Sequence, residues 1–507
     1  MDMHKQSKFK TAFGAISRLA WILFLLFLPV TSFPFFPDTL GGGALVRPLS
    51  LYPLVILLVL FTLPAILTKP LPKTFLSLLP FVLIALISSL MAMLQGINPI
   101  LGVTSSERIL RVLITLGIGG AIYTTVSLYP KSPKDLRAAL RWIYAGFSIA
   151  LLWGSLQAIY ITRFSSEYYN LLQKVQDYIA IRRLFTTRVS GMTYEPNWFA
   201  EQLTFLLLPW LLAAVLSGYS AFRWRWRRLT IESLLLVWSL IILVFTFSRA
   251  GLVNLIILLF LGIIFFRPRP LKSETGRRIG IGTRRLIDAA VVILVLVALI
   301  YSVGTRNEFF SRIWSYWTDK PRPTLAGYFD YLGFGARFIY SQAAIGVYID
   351  QPWLGVGLGN YAFFFEANLP DRSLAAMPEV LRVITPDAGR DRLITPKNFY
   401  TRLLAETGLL GTAAFMAFVM AILGGALFLW LSREREQTFW GIGGILGVVA
   451  FLLSALTFDS FAIPNMWVVF GLTTAASWFY LRSHNSGPVK DPHISLPEKN
   501  HSNITNP

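Results

Sequence analysis

Apolar residues in this chain come in long runs rather than in alternation. From near residue 19 to near residue 481, stretches poor in charge recur between short polar connections. Each run holds about 18 residues or more, enough for a helix to cross about 30 Å of hydrocarbon. Inside a bilayer every backbone N–H and C=O must be paired within its own segment, so runs of this kind are helices. The pattern predicts an all-α integral membrane protein of about twelve transmembrane helices, near 19–36, 50–68, 75–94, 109–129, 139–160, 198–217, 231–248, 250–266, 286–304, 403–431, 438–457 and 465–481. Two longer polar intervals interrupt the series, at about 161–197 and 305–402. The second is a large extracytoplasmic loop between helices 9 and 10, expected to contain short helices, one of them over Phe338–Ile349. The organisation is then an N-terminal tail (1–18), helices 1–9 (19–304), the large loop (305–402), helices 10–12 (403–482) and a polar tail (483–507) whose composition predicts disorder.

Charge sets the orientation. The formal net charge is +20. Lys and Arg concentrate in the N-terminal tail and in every second connection, among them Lys69 with Lys73, Arg137 with Arg141, Arg223 to Arg228, and Arg433 with Arg435. Basic residues collect in cytoplasmic loops, so both termini are expected in the cytoplasm and both long loops outside. The same reasoning removes nucleic acid as a partner. Even the Arg-Trp-Arg-Trp-Arg-Arg run at 223–228 reads as a headgroup anchor at a helix end. The basic start before an apolar run resembles a signal peptide. It lacks a small-residue cleavage site, and a retained first helix is expected. No repeat of 20–50 residues is visible.

The candidate chemistry is narrowed first by what is missing. There is no cysteine, which excludes disulfides and thiolate catalysis. The four histidines, His4, His484, His493 and His501, all fall in the two tails. A histidine metal site or a Ser-His-Asp system on the outer face is therefore not expected. No Asp-x-Asp stands in an outer loop and no Walker A sequence is present. Gly355, Gly357 and Gly359 lack a surrounding βαβ unit; they suit a tight turn and close backbone approach. No cofactor and no metal is expected.

Arginine and carboxylate remain. Arg249 lies in Phe247-Ser248-Arg249-Ala250-Gly251 between two apolar runs, at a depth where a charge is costly unless it has a partner or a function. Arg337 opens an apolar stretch of the large loop, and Arg188 precedes Ser190-Gly191-Met192-Thr193-Tyr194-Glu195-Pro196-Asn197. Each has a plain alternative: interfacial snorkelling for Arg249, a solvated charge for the other two. Guanidinium groups match phosphate oxygens bidentately and stay charged at any working pH. Candidate bases are Glu195, Glu406 and, with a strongly lowered pKa, Lys397; Lys397 serves more simply as a phosphate contact. Glu195 and Glu406 each have capping a helix start as the alternative. Aromatic residues of the large loop, Trp314, Tyr316, Trp317, Tyr328, Tyr331, Tyr340 and Tyr361, are packing residues or sugar-stacking faces.

Three blocks taken in order carry a family resemblance. They are Ser190 to Ala200 with Glu195-Pro196-Asn197, then Ser248-Arg249-Ala250-Gly251, then Arg337 followed by Pro352-Trp353-Leu354-Gly355-Val356-Gly357, Asn398 and Glu406-Thr407-Gly408. Over about residues 180–430 the chain resembles the O-antigen ligase and O-antigen polymerase superfamily of bacterial membrane glycosyltransferases. The resemblance implies a metal-independent enzyme of the inner membrane. It would transfer a glycan from a polyprenyl diphosphate carrier to a sugar hydroxyl at the outer face. It also implies that Arg249 and Arg337 hold the diphosphate; Arg188 is a candidate third phosphate contact and Asn398 a candidate substrate contact. In the ligases of the family a histidine activates the acceptor; here its position is Lys397. That departure favours polymerisation of surface polysaccharide repeat units, with ligation to a lipid or protein acceptor as the runner-up and a carboxylate, Glu195 or Glu406, as base. Partners implied are the lipid-linked oligosaccharide, a glycan acceptor, membrane lipids and other polysaccharide-assembly proteins. A transporter is the rival from another class, but no two related halves are visible.

Overall fold

A computed structural model describes residues 2–35, 45–227, 229–266, 294, 297–298, 300–302, 304–305, 307–319, 321–370, 378–385, 393–432 and 434–485. Among these residues the chain is almost entirely helical, with one short antiparallel hairpin pairing Arg225–Trp226 with Leu229–Thr230. Eight helices are long and apolar enough to cross a membrane: Leu51–Thr68, Lys73–Leu94, Ser105–Leu128, Pro133–Thr162, Pro196–Ser217, Arg249–Phe266, Phe399–Leu431 and Arg435–Ser454. Two shorter apolar helices, Phe13–Leu26 and Ile231–Phe245, and a less apolar one, Pro464–Asn485, complete the described bundle. Eleven of the twelve expected spans thus coincide with a helix, and eight of them meet the length and hydropathy of a span. The expected span at 286–304 and the tail from 486 lie largely or wholly outside the described residues. The first helix ends at Leu26 rather than near residue 36. Pro29 and Pro34 follow it, and proline cannot continue an interior helical ladder.

Small residues let the helices approach closely, as packing in lipid demands. Gly443 lies against the Trp210 ring, Gly119 against Trp467 and Gly447 against Val469. Trp210, Trp440 and Trp467 are fully buried, with a nest of Phe399, Phe415, Phe451 and Phe461 beside them.

The large loop is not a loose excursion. It holds helices Glu308–Asp319, Leu325–Tyr331 and Gly335–Asp350, and short ones at Tyr361–Phe364 and Pro378–Ile384. Its glycine-rich part repairs a broken span. The Phe399–Leu431 helix kinks at Gly408, whose φ of 63° and ψ of −166° are non-helical. The carbonyls freed there, those of Ala405 and Glu406, accept from Val356 N at 2.9 Å and Gly357 N at 3.0 Å. Across the kink, Leu409 N and Leu410 N donate to the Pro352 and Trp353 carbonyls at 2.8 and 3.2 Å. Unpaired backbone groups are costly away from water, so the loop and the kink require each other. Gly355, at φ 66°, has no room for a side chain: a Cβ there would stand 2.5 Å from the Ala405 carbonyl oxygen. The expected tight turn with close backbone approach is therefore present, and its partner is the chain's own broken helix.

Candidate functional site

The candidate side chains sit at the end of the bundle that carries the large loop. Arg188 and Arg249 form the first part of the site. Arg188 is buried (7 % exposed). Its Nε donates to the Thr246 carbonyl at 2.9 Å and its Nη2 to Asn197 Oδ1 at 2.8 Å. Arg249 opens the Arg249–Phe266 helix two residues after Phe247, a non-glycine residue at φ 48° that turns the chain sharply between two spans. Its Nη1 donates to the Leu332 carbonyl at 2.8 Å and its Nη2 to the Phe309 carbonyl at 3.2 Å; its Nε is buried without a partner. Both guanidinium groups lie over the Phe309 ring, at 4.2 and 4.9 Å from its centroid. Each gives two N–H groups to these bonds, which leaves further donors on both. Burial pulls the Arg188 guanidinium down to about 10, with Arg249 and Arg182 pulling the same way against Glu195. At neutral pH it is still a cation.

Glu195 stands at the N-cap position of Pro196–Ser217, with Pro196 in the first turn as expected, but its carboxylate makes no capping bond. It accepts instead from Arg182 Nη1 at 2.6 Å, and Arg182 lies over the Tyr194 and Phe185 rings. Arg182 therefore neutralises Glu195, and Arg188 keeps no carboxylate contact of its own among the described residues.

Arg337 is in the first turn of Gly335–Asp350, five residues after the Leu332 carbonyl that Arg249 holds. It is half-buried, and one bond is seen, from Nη1 to the Thr457 carbonyl at 3.4 Å. Thr457 belongs to the connection between the last two described helices, and that connection ties the site together. Ser454 Oγ accepts from Asn254 Nδ2 at 3.2 Å, on the helix that Arg249 opens. Asp459 accepts from the Lys397 backbone N at 2.6 Å through Oδ2, and its carbonyl accepts from Arg402 Nη1.

The second part of the site surrounds Asp459. Lys397 has φ 53°, and its Nζ pairs with Glu379 Oε1 at 3.1 Å above the Tyr340 ring. Burial together with Glu379 pushes the Tyr340 hydroxyl up, so it stays protonated. Asn398 is a helix cap: its Oδ1 accepts from Tyr400 N at 3.0 Å and Thr401 N at 3.2 Å. The expected substrate contact of Asn398 thus has its acceptor oxygen spent on the helix start. Glu406 does not cap a helix. The helix begins at Phe399, and Glu406 lies two turns in, 1 % exposed, accepting from Arg402 Nε at 2.9 Å through Oε2. Arg402, Asp459 and Arg108, whose Nε donates to the Gly359 carbonyl at 3.2 Å, were not legible as site residues. Arg108 reads as a loop charge, and Arg402 as the polar edge of an apolar run.

Residues 234–416 match the family described as O-Antigen ligase. Over this part the chain is similar to the O-antigen ligase and polymerase superfamily. No curated protein matches it significantly in sequence. The matched segment contains Arg249, Arg337, Lys397, Asn398, Arg402, Glu406 and the kink at Gly408; Arg188 and Glu195 lie before it and Asp459 after it. The match and the eight helices long and apolar enough to cross a membrane are together what a membrane glycosyltransferase of O-antigen ligase or polymerase type would show.

Proposed function

We propose that this protein transfers a glycan from a polyprenyl diphosphate carrier to a sugar hydroxyl at the outer face of a bacterial inner membrane, polymerising surface polysaccharide repeat units. The reading includes twelve spans with both termini in the cytoplasm. It is supported chiefly by one observation: Arg188 and Arg249 share the Phe309 ring, Arg337 follows the Leu332 carbonyl that Arg249 holds, and none of the three has a carboxylate partner among the described residues. Cations left unpaired near a membrane surface are costly unless an anion is supplied. A diphosphate supplies it. As the anomeric C–O bond breaks, charge builds on the departing diphosphate, and fixed guanidinium donors stabilise that charge without reorganising. No bound metal ion is required by this scheme, because the arginines occupy the role a cation would fill.

Lys397 is less suited to a direct phosphate contact than expected, since Glu379 already neutralises it. We assign it, with Asn398 and Asp459, to holding the start of the Phe399–Leu431 helix against the Ser454–Asp459 connection. Glu406 belongs with Arg402 to the support of the broken helix.

The test uses purified protein in lipid nanodiscs and a native oligosaccharide on polyprenyl diphosphate, with products read by mass spectrometry. A ladder of lengthened lipid-linked glycans is expected. Transfer only to an added lipid or protein acceptor would replace polymerisation by ligation. Intact donor under both conditions would sink the transferase reading.

A further inference from the structure

Glycan transfer needs a group to take the proton of the attacking hydroxyl, and the two carboxylates suggested by the sequence each have an arginine partner already. Arg182 engages Glu195 and Arg402 engages a buried Glu406. A third carboxylate, Glu201, stands in the same region with no cation partner among the described residues. It is one helical turn beyond Asn197, on the same helix face, and Asn197 holds Arg188. Its neighbour Ala200 packs on Gly251, two residues from Arg249; a Cβ at Gly251 would lie 2.7 Å from the Ala200 Cβ. Glu201 also closes the α-helical turn Pro196–Glu201, and a π-helix, Gln202–Leu207, begins at the next residue. Such π-segments recur at functional positions because they reset which face a side chain occupies.

The hydrogen bonding at Glu201 is incomplete. Asn465, in the first turn of Pro464–Asn485, is the polar side chain that acts on its carboxylate. Yet Glu201 Oε1 and Asn465 Oδ1 are both shut from solvent, and neither receives a donor. Two neighbouring acceptor oxygens without a donor are uncommon in folded proteins and call for a ligand or a proton. A sugar hydroxyl entering here would supply the missing donor.

We propose that Glu201 accepts the proton of the acceptor hydroxyl, with Asn465 as the residue that positions it. This rests on the transferase reading given above. The hydroxyl oxygen forms a bond to the anomeric carbon while the bond from that carbon to the diphosphate oxygen breaks. The bonding pair leaves with the diphosphate into the arginine cradle, and the hydroxyl proton passes to the Glu201 carboxylate, which ends as a neutral acid.

The experiment compares wild type, Glu201→Gln and Glu201→Asp in nanodiscs, with glycan transfer and binding of the same lipid-linked donor measured separately. Glutamine keeps the shape but cannot take a proton. The expected result is a loss of kcat of about 100-fold or more in Glu201→Gln with donor affinity unchanged, and partial activity in Glu201→Asp. Glu201→Gln within threefold of wild type would overturn the assignment, since a structural neutral acid tolerates that change. Loss of donor binding in Glu201→Gln would also overturn it, by moving Glu201 into the support of the cradle. Wild type that binds donor and makes no product would instead remove the transferase reading, and this role with it.

Discussion

At the scale of single residues, the three arginines differ in how deeply the fold depends on them. Arg337 makes one long bond to a carbonyl, so Arg337→Ala should leave the protein folded and accumulating in the membrane. Its kcat should fall by about 100-fold, the usual effect of removing one preorganised charge donor; steady-state transfer beside a detergent-solubilised size profile checks both halves. Arg249 holds two carbonyls, at Phe309 and Leu332, and so pins the two ends of the Glu308–Tyr331 hairpin. Arg249→Ala should abolish transfer and also lower stability by about 2 kcal/mol, since bonds from a charged donor are lost and their acceptors left bare; a thermal melt separates it from Arg337→Ala. For Arg188, burial disfavours the charged form, so the cost of that charge to stability is present at neutral pH and fades as pH rises through about 10. Donor binding should follow the opposite course, holding to about pH 9 and weakening through about pH 10 as the cation is lost, which a binding titration at stepped pH reads directly. Part of this was legible from the chain. A lone arginine between two apolar runs announces itself, as Arg249 does. Glu201 does not, because Pro196 to Leu207 reads as the ordinary start of a span and its partner Asn465 is 264 residues away. Glu406 was visible, but its partner Arg402 looked like a span boundary.

At the scale of elements, the loop of residues 351–359 and the kink at Gly408 act as one unit. Four backbone bonds cross between them, and Ser88 Oγ adds another to the Glu406 carbonyl at 3.0 Å. Gly355→Ala must move either the turn or the broken helix, because φ 66° is strained for alanine and the Ala405 oxygen occupies the Cβ position. The expected cost is of order 1–3 kcal/mol, seen as lower accumulation and earlier thermal unfolding, whereas Gly333→Ala, at φ 78° with open space around it, should cost less. The short signature with its three glycines gave away a turn and a close approach. It did not reveal what is approached, because the partner helix begins some forty residues later and its kink is itself written only as Glu-Thr-Gly. Helix starts were read several residues late at Ser105, Pro133 and Phe399, because the first turn of each of these helices is polar and hydropathy begins only after it.

At the scale of the whole molecule, hydropathy placed eleven helices of the bundle, because lipid leaves the backbone no alternative. What it could not fix is which helix ends meet, since that depends on side chains pairing across the bundle, such as Asn254 with Ser454 and Arg337 with Thr457. Orientation is open to a direct check. The chain has no cysteine, so single introduced ones report without background. Asp319→Cys should react with a membrane-impermeant thiol reagent added to intact spheroplasts, and Arg225→Cys only after permeabilisation. The reverse pattern would invert the topology and remove an outer-face reaction.

The most direct measurement is a cryo-electron structure of the protein in nanodiscs with an uncleaved polyprenyl diphosphate oligosaccharide. The expected result is diphosphate density within hydrogen-bond reach of Arg249 and Arg337, close to the Phe309 ring, with the sugar next to it directed toward Glu201. Diphosphate held elsewhere, for instance at Arg108 and Arg402 behind the glycine loop, would contradict the arginine cradle.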